Sequence, residues 1–523
     1  MNVSKKWLVL FGILLSGICW YLSFDLSLHL WWTLWLAPIP VLYLSMRLTG
    51  FQAYGVAFLA VLIGRLSWFS FLHTVLPLPV VLLLTVIFPA ISGLIILAVR
   101  KIIARSPPAI AIVAYPVLWT AFEYLQFLYS RDGTNGSIAY TQCDFLPLVQ
   151  LASITGVLGI TFVVSFVPSV VALTFYYHRA GKKIRNLILP ALFLVLSVFI
   201  FGLIRLYSGR PQKGGTAGRT EESMRGGTIE SGGESMHGVI TGLAAIPINS
   251  YHKSVYDRRP ETALYITNLY LQEVRALSDK GANIILLPEK GIAVSDSTEA
   301  VIRGLFLDAA RQLGVTIIVG VNSLSHDRLE CQAWVLSPDG RLLLNYRKVN
   351  LFEGEVADGF IPGKDPGFFP LKEALAGGKD GDTGLSGGLA GVAICKDLDF
   401  ERYISLYRRQ GASILYVPAW DFNRDGWFHS RIAMMRAVEN GYSLIRNAQE
   451  GRLTISDDRG RVLAEASAED GQRGSLIGEV GPSAGPTLYS RWGDWFGRLN
   501  LGAAILLLVL LFSGRGRRPE LRR

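Results

Sequence analysis

Charge is scarce in this sequence. Asp, Glu, Lys and Arg make up 18% of 523 residues while 50% are hydrophobic, and the mean hydropathy is +0.35. A soluble domain carries nearer a quarter of charged residues, so the balance points to a membrane protein. Cysteine is scarcer still. Cys19, Cys143, Cys331 and Cys395 stand in no metal-ligand spacing and form no disulfide framework. Zinc and iron–sulfur chemistry are thereby excluded, and neither a metal nor a cofactor is expected. The net charge of +10 comes mostly from basic residues at the ends of apolar runs. There they act as topology signals, so no nucleic-acid partner is expected.

What is present is unevenly spread. Seven apolar segments, about 7–24, 30–48, 53–73, 76–99, 108–129, 147–177 and 186–207, precede a stretch of mixed composition, and an eighth, about 495–513, closes the chain. Each is near the roughly 20 residues that cross a bilayer, and the long sixth has room for a re-entrant or interfacial turn. No small-residue cleavage site follows the first, which reads as a retained helix. Lys5 and Lys6, then Arg47, then Arg100, Lys101 and Arg105, then Arg179, Lys182, Lys183 and Arg185 fall in every second loop. By the positive-inside rule both termini are cytoplasmic and residues 208–494 lie outside. The expected organisation is a seven-helix transmembrane domain over 1–207 and a linker over 208–237. An extracytoplasmic domain over 238–494, a transmembrane helix over 495–513 and a basic tail over 514–523 follow. Two ionisable residues, Arg65 and Glu123, interrupt the spans; they read either as lipid-headgroup contacts or as interhelical partners.

From Val239 short apolar strands alternate with amphipathic helices such as 260–278, and hairpins form around Ser337-Pro338-Asp339-Gly340 and Asp457-Asp458-Arg459-Gly460. This pattern predicts an α/β sandwich with a mixed sheet. Residues 374–390 read as a loose insertion. Three expected strand ends carry polar residues: Glu289 after Leu286-Leu287-Pro288, Lys348 at the end of Asn345-Tyr346-Arg347-Lys348, and Cys395 after Gly391-Val392-Ala393-Ile394. Strand ends converge in such folds, so the three can meet. Glu289 then serves as general base for the Cys395 thiol. Lys348 lowers the thiol pKa and stabilises an oxyanion, and Cys395 attacks a carbonyl to form a thioester. Singly, each has a plainer reading as a helix cap, a solvated strand end or an inert core thiol.

Together, in this order, they resemble the nitrilase or carbon–nitrogen hydrolase superfamily. The likeness extends through Tyr346-Arg347-Lys348-Val349-Asn350-Leu351, Pro362-Gly363, Trp427-Phe428, Met435 to Gly441, and Arg446-Asn447. It implies an α-β-β-α sandwich and a Glu289–Lys348–Cys395 triad. A domain of this kind between seven spans and one resembles the apolipoprotein N-acyltransferase family, with Trp31-Trp32, Leu36-Ala37-Pro38, Trp119 with Glu123, and Pro147 to Gln150 adding to the likeness. The resemblance implies a phospholipid acyl donor and a diacylglyceryl lipoprotein acceptor in a bacterial cytoplasmic membrane. The family carries a further glutamate after the triad lysine. Glu353 and Glu355 compete for that role, and Glu355 nearly keeps the family spacing. Where the family has an aromatic and a glutamate after the nucleophile, this chain has Lys396-Asp397; these two and Trp427 are the expected substrate contacts. A membrane-anchored amidase using water as acceptor, or a non-catalytic envelope scaffold, are the alternatives.

Overall fold

In the computed structural model, the described residues are 3–179, 181, 185–208, 238–248, 254–326, 328–376, 388–481, 483 and 485–512. Nearly all of the expected linker, most of the 374–390 insertion and the basic tail lie outside them. The chain divides into two units, residues 1–206 with 492–523 and residues 207–491.

Among the described residues, six helices are long and apolar enough to cross a membrane: Lys5–Phe24, Gly50–Val75, Leu78–Arg105, Pro108–Tyr129, Val157–Arg179 and Ile188–Tyr207. The apolar segment Trp495–Leu511 is shorter. The expected second span, 30–48, is not one continuous helix. It is a 3-10 turn, Trp31–Trp35, followed by the eight-residue helix Pro38–Ser45, because Pro38 and Pro40 have no N–H to continue a helix from upstream. The Ser16 hydroxyl donates to the Ala37 carbonyl at 2.5 Å and Gly12 faces Leu44, so this segment runs antiparallel to the first helix. Gly17 faces Ile63 and Gly64 faces Trp20, so the helix Gly50–Arg65 runs parallel to the first. The long sixth segment breaks into the short helices Leu146–Val149 and Ala152–Thr155 before Val157–Arg179, with Gly156 at φ +68° between them.

Basic residues collect at one end of this unit. Arg100 donates to the carbonyls of Ser45 at 2.8 Å and Leu48 at 2.6 Å. Arg105 donates to Leu511 at 2.6 Å, and Arg179 lies 6.0 Å from the Tyr43 ring. Glu123 is a packing acid. Buried at 2% exposure, it accepts from Ser137 and Thr161 hydroxyls at 2.7 Å each, the Ile138 amide at 3.0 Å and the Trp119 indole at 3.2 Å. Arg65 stacks over Phe88 at 4.7 Å.

The second unit is a four-layer sandwich. One sheet takes strands β1 (Val239–Ala245), β2 (Ile284–Leu286), β3 (Ile292–Val294), β4 (Thr316–Leu324), β5 (Leu329–Leu336), β6 (Leu342–Arg347) and β13 (Gly474–Val480), in the order β13-β1-β2-β4-β5-β6 with β3 beside β4. The other takes β7 (Gly367–Pro370), β8 (Leu389–Val392), β9 (Ala412–Trp420), β10 (Ser443–Gln449), β11 (Arg452–Ser456) and β12 (Val462–Ser467), ordered β12-β11-β10-β9-β8-β7. Alternation along the strands serves both faces. Ile284, Leu286 and Ile318 pack inward against Ile414, Tyr416 and Ile445 of the other sheet. Ile285, Ile317 and Val319 turn outward onto Tyr270, Val274 and Phe306 of helices Pro260–Asp279 and Glu299–Leu313. With both faces covered, the central strands read as unbroken apolar runs.

Polar stitches bind the two sheets at their carboxyl ends. The Asn447 amide donates to the Ala244 and Leu286 carbonyls at 2.9 and 2.6 Å, and Gln449 donates to Ile246 at 2.9 Å. The Glu289 amide donates to the Ala419 carbonyl at 3.2 Å. Space there is tight. A Cβ on Gly320 would lie 2.0 Å from the Pro288 carbonyl oxygen and 2.8 Å from the Glu289 Cα. Gly320→Ala must therefore displace the turn that carries Glu289. The expected cost is about 1–3 kcal/mol, read as a lower melting temperature of the detergent-solubilised protein together with slower alkylation of Cys395. An unchanged melting curve would contradict the fit.

Candidate active site

Three loops at the carboxyl ends of β2, β6 and β8 converge. Lys348 follows β6 directly; its amide donates to the Cys331 carbonyl of β5 at 2.9 Å and its carbonyl accepts from Gly363 at 2.8 Å. A side chain on Gly363 would strike the Arg347 carbonyl at 2.3 Å, which explains the glycine of the Pro362-Gly363 pair. The strand bearing Cys395 ends earlier than its apolar run suggests, at Val392. Cys395 opens a 3-10 turn, Cys395–Asp399, in the left-handed region at φ +42°. Lys290, Asn423 and Glu450 around the same loops also have positive φ, at 51°, 63° and 52°. Such backbones cost of order 1–3 kcal/mol each and gather where a site fixes their direction.

At the centre lies a buried charge cluster. The Lys348 ammonium is 2.7 Å from Glu289 Oε1 and 2.9 Å from Glu355 Oε2. The Lys290 ammonium is 2.7 Å from Glu355 Oε1. Glu289, Lys290, Lys348 and Glu355 are all below 5% exposed. The Cys331 thiol donates to Glu289 Oε1 at 3.4 Å. Glu289, Cys331 and Glu355 bring potential metal-ligand atoms within 4.8 Å of one another, but the two lysines already serve both carboxylates. Burial works to lower the Lys348 ammonium, yet Glu289 and Glu355 outweigh it and hold the group well above its ordinary value. Burial likewise works to raise Glu355, but Lys348 and Lys290 bring it down to about 2. The two acids differ in placement. Glu355 joins the cluster, and Glu353 is exposed on the first turn of the short helix Glu353–Ala357. The Glu355 carboxylate also accepts from the Phe352 amide at 2.8 Å, closing that turn.

The expected lowering of the thiol pKa is not what the site produces. Burial, and then the Glu289 charge, push the Cys395 thiol well above its ordinary value, and these outweigh Lys348 and Arg446. Both effects favour the neutral thiol, whose Sγ lies 3.4 Å from the Trp420 carbonyl as a donor. Thiolate must therefore be made during reaction, by passing the proton to a base. Asp397 is not placed as a substrate contact. Fully buried, its carboxylate accepts from the Tyr346 hydroxyl at 2.6 Å, the Asn350 amide and side chain at 2.8 and 3.0 Å, and the Ile394 amide at 2.9 Å. It locks the turn carrying Cys395 to the loop after β6. Lys396 is 7% exposed, with its ammonium 5.4 Å from the Phe352 ring. Trp427 is partly exposed and stacks under Arg431 at 5.4 Å.

Lys290 and Cys331 have no counterpart among the residues expected from the sequence, and neither does a second ion network behind Cys395. Asp421 is fully buried and receives Arg446 in two bonds of 2.8 and 2.5 Å. It is held at about 2 by Arg446 and His429 against the effect of burial. His429 lies 3.1 Å from Asp425 and 3.5 Å from Asp421.

Residues 16–170 match the apolipoprotein N-acyltransferase N-terminal domain, and residues 244–483 match the carbon-nitrogen hydrolase family. An apolipoprotein N-acyltransferase of Geobacter metallireducens is 26% identical, over 95% of this chain and 94% of its own. One of Coxiella burnetii is 23% identical, over 83% and 84%. The chain belongs to the apolipoprotein N-acyltransferase family. It is accordingly an acyltransferase, and with six membrane-capable helices a multi-pass membrane protein. A deaminated glutathione amidase of Synechocystis is 29% identical, but over 40% of this chain and 86% of its own. The family match thus takes in the helical unit, and the amidase match only the sandwich.

Two outcomes follow from the site geometry. Glu355→Gln leaves two buried ammoniums with one carboxylate and should lower the rate of acyl-enzyme formation by about 10²-fold or more. Glu353→Gln should stay within about 3-fold of wild type; equal losses would show that burial does not distinguish the two acids. The second concerns pH. Burial works to lower His429, but Asp425 and Asp421 raise it from 6.5 to about 10. A raised cation stabilises the fold fully below pH 6.5 and ceases to as pH climbs towards 10. The melting-temperature difference between wild type and His429→Asn should therefore shrink over that interval. A constant difference would mean the histidine is neutral.

Proposed function

We propose that this chain moves an acyl chain from a membrane phospholipid, through a thioester on Cys395, to the α-amine of an S-diacylglyceryl N-terminal cysteine on a lipoprotein. The carrying observation is the union, in one family-matched chain, of a membrane-spanning unit with Glu289, Lys348 and Cys395 on converging loops. Glu289 takes the thiol proton, and the Cys395 sulfur adds to the donor's ester carbonyl. Lys348 faces the negative oxygen that results. The ester C–O bond then breaks, Glu289 returns the proton to the departing alkoxide, and lysophospholipid leaves. In the second half the acceptor amine adds to the thioester, Glu289 takes the amine proton, and the thiol departs reprotonated as the amide forms. Glu355 holds Lys348 in place through both halves.

The termini are cytoplasmic and the sandwich lies on the opposite face of the cytoplasmic membrane in this reading. The gathering of Arg100, Arg105 and Arg179 at one end of the helical unit supports that orientation.

A second reading, hydrolysis of the thioester by water, draws on the likeness of the sandwich to an amidase. One experiment separates the two. Purified protein is incubated with phospholipid carrying a labelled acyl chain, then with a diacylglyceryl-cysteine peptide bearing either a free or an acetylated amine. Hydroxylamine-sensitive label should build up on wild type and not on Cys395→Ala, and pass only to the free-amine peptide. Release of label as free fatty acid at the same rate with either peptide would favour hydrolysis. Absence of label from wild type would remove the donor step.

A further inference from the structure

Lys290 directly follows the base Glu289, and nothing in the triad chemistry requires a second lysine there. Its placement is nevertheless specific. The left-handed backbone at φ +51° turns the side chain inward to 3% exposure. The ammonium lies 4.9 Å from the Phe360 ring, 5.7 Å from Trp420 and 6.0 Å from Tyr256, and it ends 2.7 Å from Glu355. The charged and titratable groups around it are Glu289 on its own loop, Cys331 from β5, Lys348 after β6 and Glu355 from the short helix. Tyr256, whose hydroxyl donates to Asp358 at 2.8 Å, also faces it.

Count the charges with Lys290 removed. Two carboxylates then share the single ammonium of Lys348 in a water-poor site, and a like-charged pair of that kind retains a proton. The proton would reside on either acid; on Glu289 it abolishes the base. With Lys290 present the four charges sum to zero, Glu355 is held as a carboxylate by two ammoniums, and Glu289 is ionised and able to receive the Cys395 proton. We propose that Lys290 is a positioning residue that keeps Glu289 in its basic form by neutralising Glu355.

The inference rests on the assignment of Glu289 as base and Cys395 as nucleophile, but not on the identity of the acyl donor or acceptor. Its test therefore uses a probe that needs neither. The rate of Cys395 alkylation by iodoacetamide is followed against pH in the detergent-solubilised full chain, with Cys395→Ala as blank. Lys290→Met removes one positive charge from beside Glu355, whose carboxylate shares the Lys348 ammonium with Glu289, so the carboxylate pair retains a proton. The midpoint of the alkylation profile should rise by about one pH unit or more, while the plateau rate at high pH stays within about 3-fold of wild type. Lys290→Arg should restore the wild-type midpoint. Glu355→Gln, which removes the opposing negative charge, should move the midpoint down.

A Lys290→Met profile lowered at every pH with its midpoint unmoved would overturn the proposal and leave Lys290 a packing residue. If Lys290→Met does not fold, the downward shift in Glu355→Gln decides, and an unmoved midpoint there overturns the proposal equally. If the midpoints move as expected but no phospholipid label reaches Cys395, the charge arrangement stands and the donor assignment fails separately.

Discussion

The site depends on the Lys348 ammonium and the two carboxylates it bridges, 2.7 Å from Glu289 and 2.9 Å from Glu355. With Lys290, 2.7 Å from Glu355, they form four ionised groups removed from water that are stable only as a set. Deleting one partner of a buried ion pair costs about 3–5 kcal/mol, because the other charge is left uncompensated. The cluster thus fixes the relative positions of three chain segments at once: the turn after β2, the end of β6 and the helix Glu353–Ala357. The surrounding fold holds this geometry with backbone hydrogen bonds and close packing, not with exposed side chains. The stitches from Glu289, Asn447 and Gln449 across the two sheets keep the carboxyl ends of the strands at one level.

How much of this was legible in the sequence follows from physical differences among the residues. Glu289 and Cys395 were visible because each breaks an apolar run, Lys348 because it closes a strand, and the family resemblance ordered them. Glu355 could not be separated from Glu353 by spacing alone. What separates them is burial, and in a short helix that depends on which turn faces the core. Lys290 was hidden because a lysine beside a glutamate in a loop reads as solvated, and its inward course comes from a left-handed backbone that sequence patterning does not report. Asp397 was misread for a related reason. An acid two residues from a nucleophile suggests substrate contact, yet four donors from three segments occupy it.

The helical unit shows the same limit at larger scale. Hydropathy located every apolar segment, and it located segment 30–48 as readily as the rest. It did not distinguish a continuous helix from a 3-10 turn joined to an eight-residue helix, because hydropathy is insensitive to missing backbone donors at Pro38 and Pro40. The direction of that segment, set by the pairing of Ser16 with Ala37 and Gly12 with Leu44, preserves the alternation of loops from which the orientation was read.

The protonated state of Cys395 gives the reaction a constraint that a preformed thiolate would not. With a neutral thiol and a neutral cluster of Glu289, Lys290, Lys348 and Glu355, the resting site has no net charge. Passing the proton from Cys395 to Glu289 moves a negative charge from the carboxylate to the sulfur without altering that total. Addition to a carbonyl moves it again, onto the oxyanion, still beside the same ammonium. In a medium of low dielectric, changing net charge is far costlier than relocating a charge over a few ångströms next to a fixed counter-ion. A site built this way tolerates an apolar acyl chain excluding water from it, because each step proposed for the acyl half-reaction conserves the charge that water would otherwise have to solvate. It follows that substitutions which change the charge of the cluster should affect the chemical step more than isosteric changes in its apolar walls do.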